Sequence, residues 1–156
     1  MRGKLIVAAG AGLAAVAVAA FAHASPSQGS STITIHTLQL GTGVKWNDLD
    51  RNGKPSVGDV TVLYARHFDL KTHKPLGGGT AICTQLDDQG LVYDCIGEDH
   101  FAGGDIREAA RFRLGKGFTF AILGGTGAYV GASGELKGTW LDAKATKARD
   151  TFTIIR

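Results

Sequence analysis

Apolar and polar positions alternate in short runs along most of this chain, with a period of two. Eight runs rich in Thr, Val, Ile, Tyr and Phe stand out: Ser31–Leu40, Asp59–Phe68, Thr80–Leu86, Leu91–Gly97, Asp105–Leu114, Phe118–Leu123, Gly134–Leu141 and Thr151–Ile155. The breaks carry Asn52-Gly53, Gly77-Gly78-Gly79, Asp87-Asp88-Gln89-Gly90, Gly103-Gly104 and Gly115-Lys116-Gly117. Such residues tolerate positive φ and close hairpins. Beyond residue 31 no stretch sustains a 3.6-residue apolar stripe, and Leu141 to Ala148 has room only for a helical turn. Consecutive strands with short links favour an antiparallel meander, because parallel pairing needs long crossovers. The pattern therefore predicts an all-β fold, an eight-stranded antiparallel barrel whose closure removes exposed edges. A two-sheet sandwich has the same strand count. A barrel of this size holds its own side chains and one small ligand.

The N-terminus has a different character. Arg2 and Lys4 precede an uncharged run from Leu5 to Ala22, which ends in the small-x-small sequence Ala22-His23-Ala24. Charge, apolar run and cleavage pattern read as a signal peptide over 1–24, cleaved after Ala24, which makes the product secreted. The run is barely long enough for a bilayer and rich in Ala and Gly, so a membrane anchor fits less well and no stable membrane insertion is expected after cleavage. Residues 25–31 read as a flexible leader and 32–156 as one barrel domain. The whole chain has 17 basic and 14 acidic residues, net +3; loss of Arg2 and Lys4 leaves +1. That balance gives no net attraction for nucleic acid or anionic membrane.

Cys83 and Cys95 are the only cysteines. In an exported chain two cysteines read as one disulfide, and no second ligand pair has spacing suited to a metal. If Asp87–Gly90 were a four-residue loop, Cys83 would face Asp94. A five-residue loop or a β-bulge puts it opposite Cys95, and one of these two is expected.

Lone polar residues on apolar strand faces are the candidates for chemistry. Ile106, Glu108, Ala110, Phe112 and Leu114 share one face, with Glu108 the odd member. Val60, Val62, Tyr64, Arg66 and Phe68 share another, with Arg66 the odd member. A carboxylate inside a barrel costs several kcal/mol unless paired, so an inward Glu108 would seek Arg66 or Tyr64 and form an acid/base or charge-stabilising group. The alternative places these residues at the rim or outside. Asp48-Leu49-Asp50-Arg51-Asn52-Gly53 through Asp59 matches a calcium-loop template, with Asp48, Asp50, Asn52 and Asp59 as oxygen ligands. Pro55 and the lack of flanking helices favour a plain hairpin loop. Arg107, Arg111 and Arg113 read as a solvated strand face, and Glu98-Asp99-His100 as a polar loop. His36, His67 and His73 have no convincing metal spacing.

Gly124-Gly125-Thr126-Gly127-Ala128-Tyr129-Val130-Gly131 follows a strand and superficially suggests a dinucleotide site. The last glycine comes one residue late, too little chain remains for βαβ units, and no helical stripe follows, so no nucleotide cofactor is expected. The segment, extended to Ala132-Ser133-Gly134, instead resembles the GGTG-x-[FY]-x-x-A-x-G element of the allene oxide cyclase and dirigent barrel superfamily, particularly its small exported bacterial members. Ser56-Val57-Gly58-Asp59, the Cys83…Cys95 hairpin and Phe101-Ala102-Gly103-Gly104-Asp105-Ile106 fit the same group. The resemblance implies an eight-stranded antiparallel barrel, commonly a homotrimer, with a shaped apolar cavity. Ser133 stands where plant dirigents commonly have Arg, so no catalytic residue carries over. The expected function is binding of a small apolar molecule or partner. The alternative is a cofactor-free isomerase or cyclase, or a dirigent-type stereochemical guide, acting on a hydrophobic substrate. An enclosed cavity containing Glu108 would favour the enzyme; an entirely apolar one would favour the binder.

Overall fold

The computed structural model of the protein describes residues 30–156 except 116. The signal-peptide reading of 1–24 and the leader up to residue 29 lie outside the described residues. Eight strands follow in chain order: β1 (Thr32–Asn47), β2 (Val60–Asp69), β3 (Pro75–Gln85), β4 (Val92–Phe101), β5 (Gly104–Arg113), β6 (Gly117–Gly125), β7 (Ser133–Trp140) and β8 (Lys147–Ile155). Each pairs antiparallel with its sequence neighbour, and β1 pairs with β8. The result is a closed barrel, which settles the choice against a sandwich.

Several strands run further than their apolar patterns suggest. β1 passes through Gly41 and Gly43 by a bulge at residue 42, a site where an extra residue bends the strand. β3 includes Gly77-Gly78-Gly79, which reads as a break in sequence. A Cβ at Gly77 would fall 1.7 Å from the His100 carbonyl oxygen, so this glycine permits close strand contact rather than a turn. The Leu141–Ala148 segment forms turns and the start of β8, with no helix.

The meander puts the β1–β2, β3–β4, β5–β6 and β7–β8 loops at one end. The opposite end is closed by the GGTG segment. There a short 3-10 turn, Gly127–Tyr129, folds onto the β4–β5 hairpin. Thr126 N–H donates to Asp105 O at 2.9 Å and Ala128 N–H to Gly103 O at 2.8 Å. Gly127 has φ 56°, and a Cβ there would lie 2.4 Å from Gly103 O. Glycine is required by both conformation and space. The buried Tyr129 ring meets Phe101 edge-on, and Phe101 in turn meets Phe152. These rings, with Ile106, Ile122 and Ile154, fill this half of the barrel.

Cys83 and Cys95 stand directly opposite each other on β3 and β4 and form a disulfide. Leu86 N–H donates to Val92 O, so the loop between them has five residues, Asp87 to Leu91, one of the two expected arrangements. Both sulfur-bearing residues face inward, at 2% and 1% exposure.

The outer wall carries an unusual row. Val62, Ile82, Ile96, Ala109 and Ala121 are cross-strand partners on β2 to β6 and point outward. Ile82 and Ile96 are 55% and 51% exposed. Beside them, Asp94 and Glu98 on β4 face Arg111 and Arg107 on β5.

Candidate active site

The half of the barrel under the odd-to-even loops is hollow. A cavity of about 440 Å³ opens between Gly53 and Pro55 of the β1–β2 loop, Leu114 after β5, and Lys144 and Ala145 before β8. Its wall is aromatic on one side, with Tyr93, Phe112, Phe118, Phe120 and Trp140. The facing side is lined by Thr61, Ala65, Gly79 and Ala81, whose small side chains leave the space.

At the inner end lie His67, Asp99 and Glu108. His67 Nε2 is 2.7 Å from Asp99 Oδ1, an N–H donated to a carboxylate. The other ring nitrogen lies 3.3 Å from Thr37 Oγ1, whose hydroxyl donates to Asp150 Oδ2 at 3.5 Å. The chain Asp99–His67–Thr37–Asp150 thus spans β4, β2, β1 and β8, and every member is buried. The imidazole rests edge-on against Phe152 and tilted against Phe101, the rings that close the far end. With both nitrogens engaged, His67 holds Asp99 in place. Asp99 Oδ2 makes no hydrogen bond among the described residues.

Glu108 reaches the same space from β5. It is 6% exposed, and its Oε2 is buried without a hydrogen-bond partner. Burial, reinforced by the charges of Asp99 and Asp150, pushes its carboxyl up to about 9. Burial likewise raises Asp150 to about 7; Asp99 adds to this, while His67 and Thr37 oppose it. At neutral pH Glu108 is therefore a carboxylic acid in an apolar cavity, the state in which a carboxyl donates a hydrogen bond or a proton. Two register shifts flank the group. β6 bulges at Leu123 beside Glu108, and β3 bulges at Leu76 beside His67. Bulges re-aim side chains and are common next to active sites.

The proposed Glu108 partners are a correction. Tyr64 and Arg66 are exposed on the outside of β2, while Thr61, Leu63, Ala65 and His67 line the cavity. A strand offers two faces, and a choice between them exchanges every side chain. Here the inner face is the one that leaves a void, with small residues and one histidine. The more apolar Val60, Val62 and Tyr64 face outward. Glu108 thus meets two further carboxyls and an imidazole instead of a guanidinium.

The remaining candidates are separate from the cavity's inner end. Glu98-Asp99-His100 is strand, so Asp99 points in while Glu98 and His100 point out. His100 Nδ1 lies 2.7 Å from Asp105 Oδ1 on the surface, a hydrogen bond that raises the imidazole's pKa. Arg107, Arg111 and Arg113 are exposed, as the solvated-face reading has it. In the β1–β2 loop, carboxylate oxygens of Asp48, Asp50 and Asp59 lie within 4.8 Å of one another. Asn52 is bound to the cluster through Asp50, to which its Nδ2 donates, while its Oδ1 accepts from Lys54 N–H. Gly53 N–H donates to Asp48, while Leu49 and Ser56 N–H donate to the buried Asp59. Glu98, His100 and Asp105 form a second group with metal-compatible spacing.

No family model matches the chain, and no curated protein matches it. Solved structures do. A pyocyanin demethylase superposes with TM-score 0.65 at 22% identity, covering 78% of this chain and 99% of that one. A pterocarpan synthase dirigent protein gives 0.64 at 19% identity, covering 81% and 84%. An exo-specific intermolecular Diels-Alderase gives 0.60 at 13% identity, covering 81% and 99%. A nonspecific heme-binding cyclase that catalyses [4 + 2] cycloaddition gives 0.66 at 15% identity, covering 83% and 68%. The closed eight-stranded meander is thus similar in fold to these dirigent and cyclase structures.

Proposed function

We propose that the protein is an acid–base catalyst that needs no bound cofactor and rearranges or cyclises a small hydrophobic molecule within the barrel. The observation that carries this reading is Glu108, a buried acid with an unpartnered oxygen, placed in the same cavity as an Asp99 carboxylate fixed by His67. Glu108, kept protonated by burial, serves as the donor, and Asp99, held in place by the imidazole, as the acceptor. Glu108 gives a proton to one atom of the substrate and Asp99 takes one from another, so no electrons are gained or lost. The aromatic wall orients an apolar body, and the small residues opposite decide its shape. Solved barrels of this fold include enzymes named for cycloaddition and proteins named as dirigent, which supports the reaction class. Export with cleavage after Ala24 is part of the same reading, supported by the N-terminal pattern and by a disulfide suited to an oxidising compartment.

The aromatic lining also suits a carrier that releases its ligand unchanged. Both readings meet in one experiment. Protein purified from its own culture medium is examined by native mass spectrometry for retained molecules. Extracts of that medium are then incubated with the wild type, Glu108→Gln and Asp99→Asn. A metabolite consumed by the wild type and by neither variant supports catalysis. A bound molecule recovered unchanged, with identical profiles for all three proteins, overturns it in favour of the carrier.

A further inference from the structure

We infer that the cavity takes a hydrophobic amine, nitrogen inward, with the nitrogen held between the carboxyl groups of Glu108 and Asp99. This deepens the proposed function, because it assigns a substrate class to the same cavity. Three observations lead to it. First, the inner end holds an excess of acids: Asp99 and Glu108 line it, with Asp150 behind, against one imidazole. Among the described residues no Arg lines the cavity, and the one Lys that does, Lys144, stands in the loop at the mouth. A carboxylate or phosphate drawn inward would meet further acids, with the one imidazole already engaged by Asp99 and Thr37, at a cost that low dielectric makes severe. Second, Glu108 Oε2 is buried and unpartnered, although native structures rarely leave such an oxygen unused. Asp99 Oδ2 is also outside any internal hydrogen bond among the described residues. Unused carboxyl oxygens call for donors, and a protonated amine supplies up to three. Third, the wall between this end and the mouth is mostly aromatic or aliphatic, with Thr61, Thr80, Gln39 and Gln85 as its neutral polar members, which suits a hydrophobic body behind the nitrogen.

The protonation states are self-consistent. A neutral amine takes the proton of Glu108, leaving an ammonium beside a carboxylate; an amine that arrives protonated displaces the Glu108 proton to solvent. Either way a buried, uncharged acid becomes half of an ion pair with a charge-assisted hydrogen bond. The groups facing Glu108 are Asp99 from β4, His67 from β2 and Asp150 from β8, so a cation answers more acids than bases. As pH rises towards about 9, less work is needed to remove that proton, and amine binding tightens.

Both tryptophans of the chain, Trp46 and Trp140, line the cavity and report occupancy by fluorescence. The probes are 4-phenylbutylamine, 4-phenylbutan-1-ol and 4-phenylbutanoate, which share one apolar body. The amine should bind at least roughly tenfold more tightly than the carboxylate, with the alcohol between. Amine affinity should rise between pH 6 and 9 while alcohol affinity stays flat. In Glu108→Gln the alcohol should bind as in the wild type and the amine should lose its advantage; Asp99→Asn should weaken the amine by a smaller factor. Carboxylate binding equal to amine binding, an amine preference that survives Glu108→Gln, or no binding of any probe at millimolar concentration overturns the inference. Because the readout is binding, loss of turnover alone would sink the catalytic reading and leave this one standing.

Discussion

Gly97 and Glu108 are cross-strand partners, and the Glu108 carboxyl lies over the bare Cα of the glycine. A Cβ at 97 would stand 2.9 Å from Glu108 Oε1 and 3.2 Å from its Cγ. The acid therefore sits where it does because β4 offers no side chain at that point. Gly97→Ala should force Glu108 off its position and destabilise the barrel by about 1–3 kcal/mol, as overpacked cores do. Urea unfolding checks the energy. Glu108→Ala in the Gly97→Ala background should restore most of it, since the clash then disappears.

Stability should fall as the pH rises from mildly acidic to alkaline. Glu108 has a folded pKa of about 9 against an ordinary 4.5, and Asp150 about 7 against 3.8. Between those limits the folded state holds protons that the unfolded chain has lost, so unfolding becomes easier with each pH step. One such group gives a slope approaching about 1.4 kcal/mol per pH unit. The Glu108 contribution is complete below 4.5 and lost by about 9; that of Asp150 is lost by about 7. Surface carboxylates act oppositely. Asp69, Asp87 and Asp142 have lowered pKa values from local hydrogen bonds and lose their contribution under acid. Melting temperature should peak between about pH 4 and 5. Glu108→Gln, which keeps the shape without the charge, should flatten the decline above pH 5 and raise melting at pH 8.

Cys83 and Cys95 enclose a short loop, with a sequence separation of 12. Chain entropy limits the contribution of such a link to about 3 kcal/mol or less. The double substitution Cys83→Ala/Cys95→Ala should lower the unfolding free energy by no more than that and leave the strand-rich circular dichroism intact. A loss well above this limit would mean that the sulfurs also act as irreplaceable packing in the wall.

The outward row Val62, Ile82, Ile96, Ala109 and Ala121 sets two isoleucines beside two alanines, flanked by an acidic strand and a basic one. A second copy, rotated so that its isoleucines meet these alanines, would bring Asp94 and Glu98 of one chain to Arg111 and Arg107 of the other. Contacts of this head-to-tail kind close into a ring when the rotation between copies is a whole fraction of a turn, and into an open filament otherwise. Light scattering on a sizing column should show an assembly, the homotrimer the sequence resemblance implies, and Ile96→Lys should convert it to monomer. A wild-type monomer at micromolar concentration would remove self-association as the use of this face.

Strand number and order were legible in the chain because alternation and glycine-bearing turns are local signals; the choice of a barrel over a sandwich rested on the family resemblance. Glu108 was legible too, as the odd residue on an apolar face. Asp99 and Asp150 carry the same signature, in Tyr93-x-Cys95-x-Gly97-x-Asp99-x-Phe101 and Ala148-x-Asp150-x-Phe152-x-Ile154. They were hidden because the apolar runs suggest that β4 stops at Gly97 and β8 starts at Thr151. A buried carboxyl weakens the very apolar pattern that marks a strand, so the strands looked shortest where the site is. His67 was hidden for another reason. Its face of β2 is less apolar than the opposite one, and only a cavity makes the less apolar face the inner one. Arg66 and Tyr64 inherit the error.

The inward-facing disulfide also favours an order of events. In the closed barrel Cys83 and Cys95 are almost wholly shielded, so neither an oxidising enzyme nor a small thiol reaches them easily. Thiolate attack needs access. The bond therefore forms more readily while the β3–β4 hairpin is still open to solvent, before β1 and β8 meet. A chain that closes first would trap two thiols against its own cavity, and a chain that oxidises first carries a pre-aligned hairpin around which the other six strands assemble.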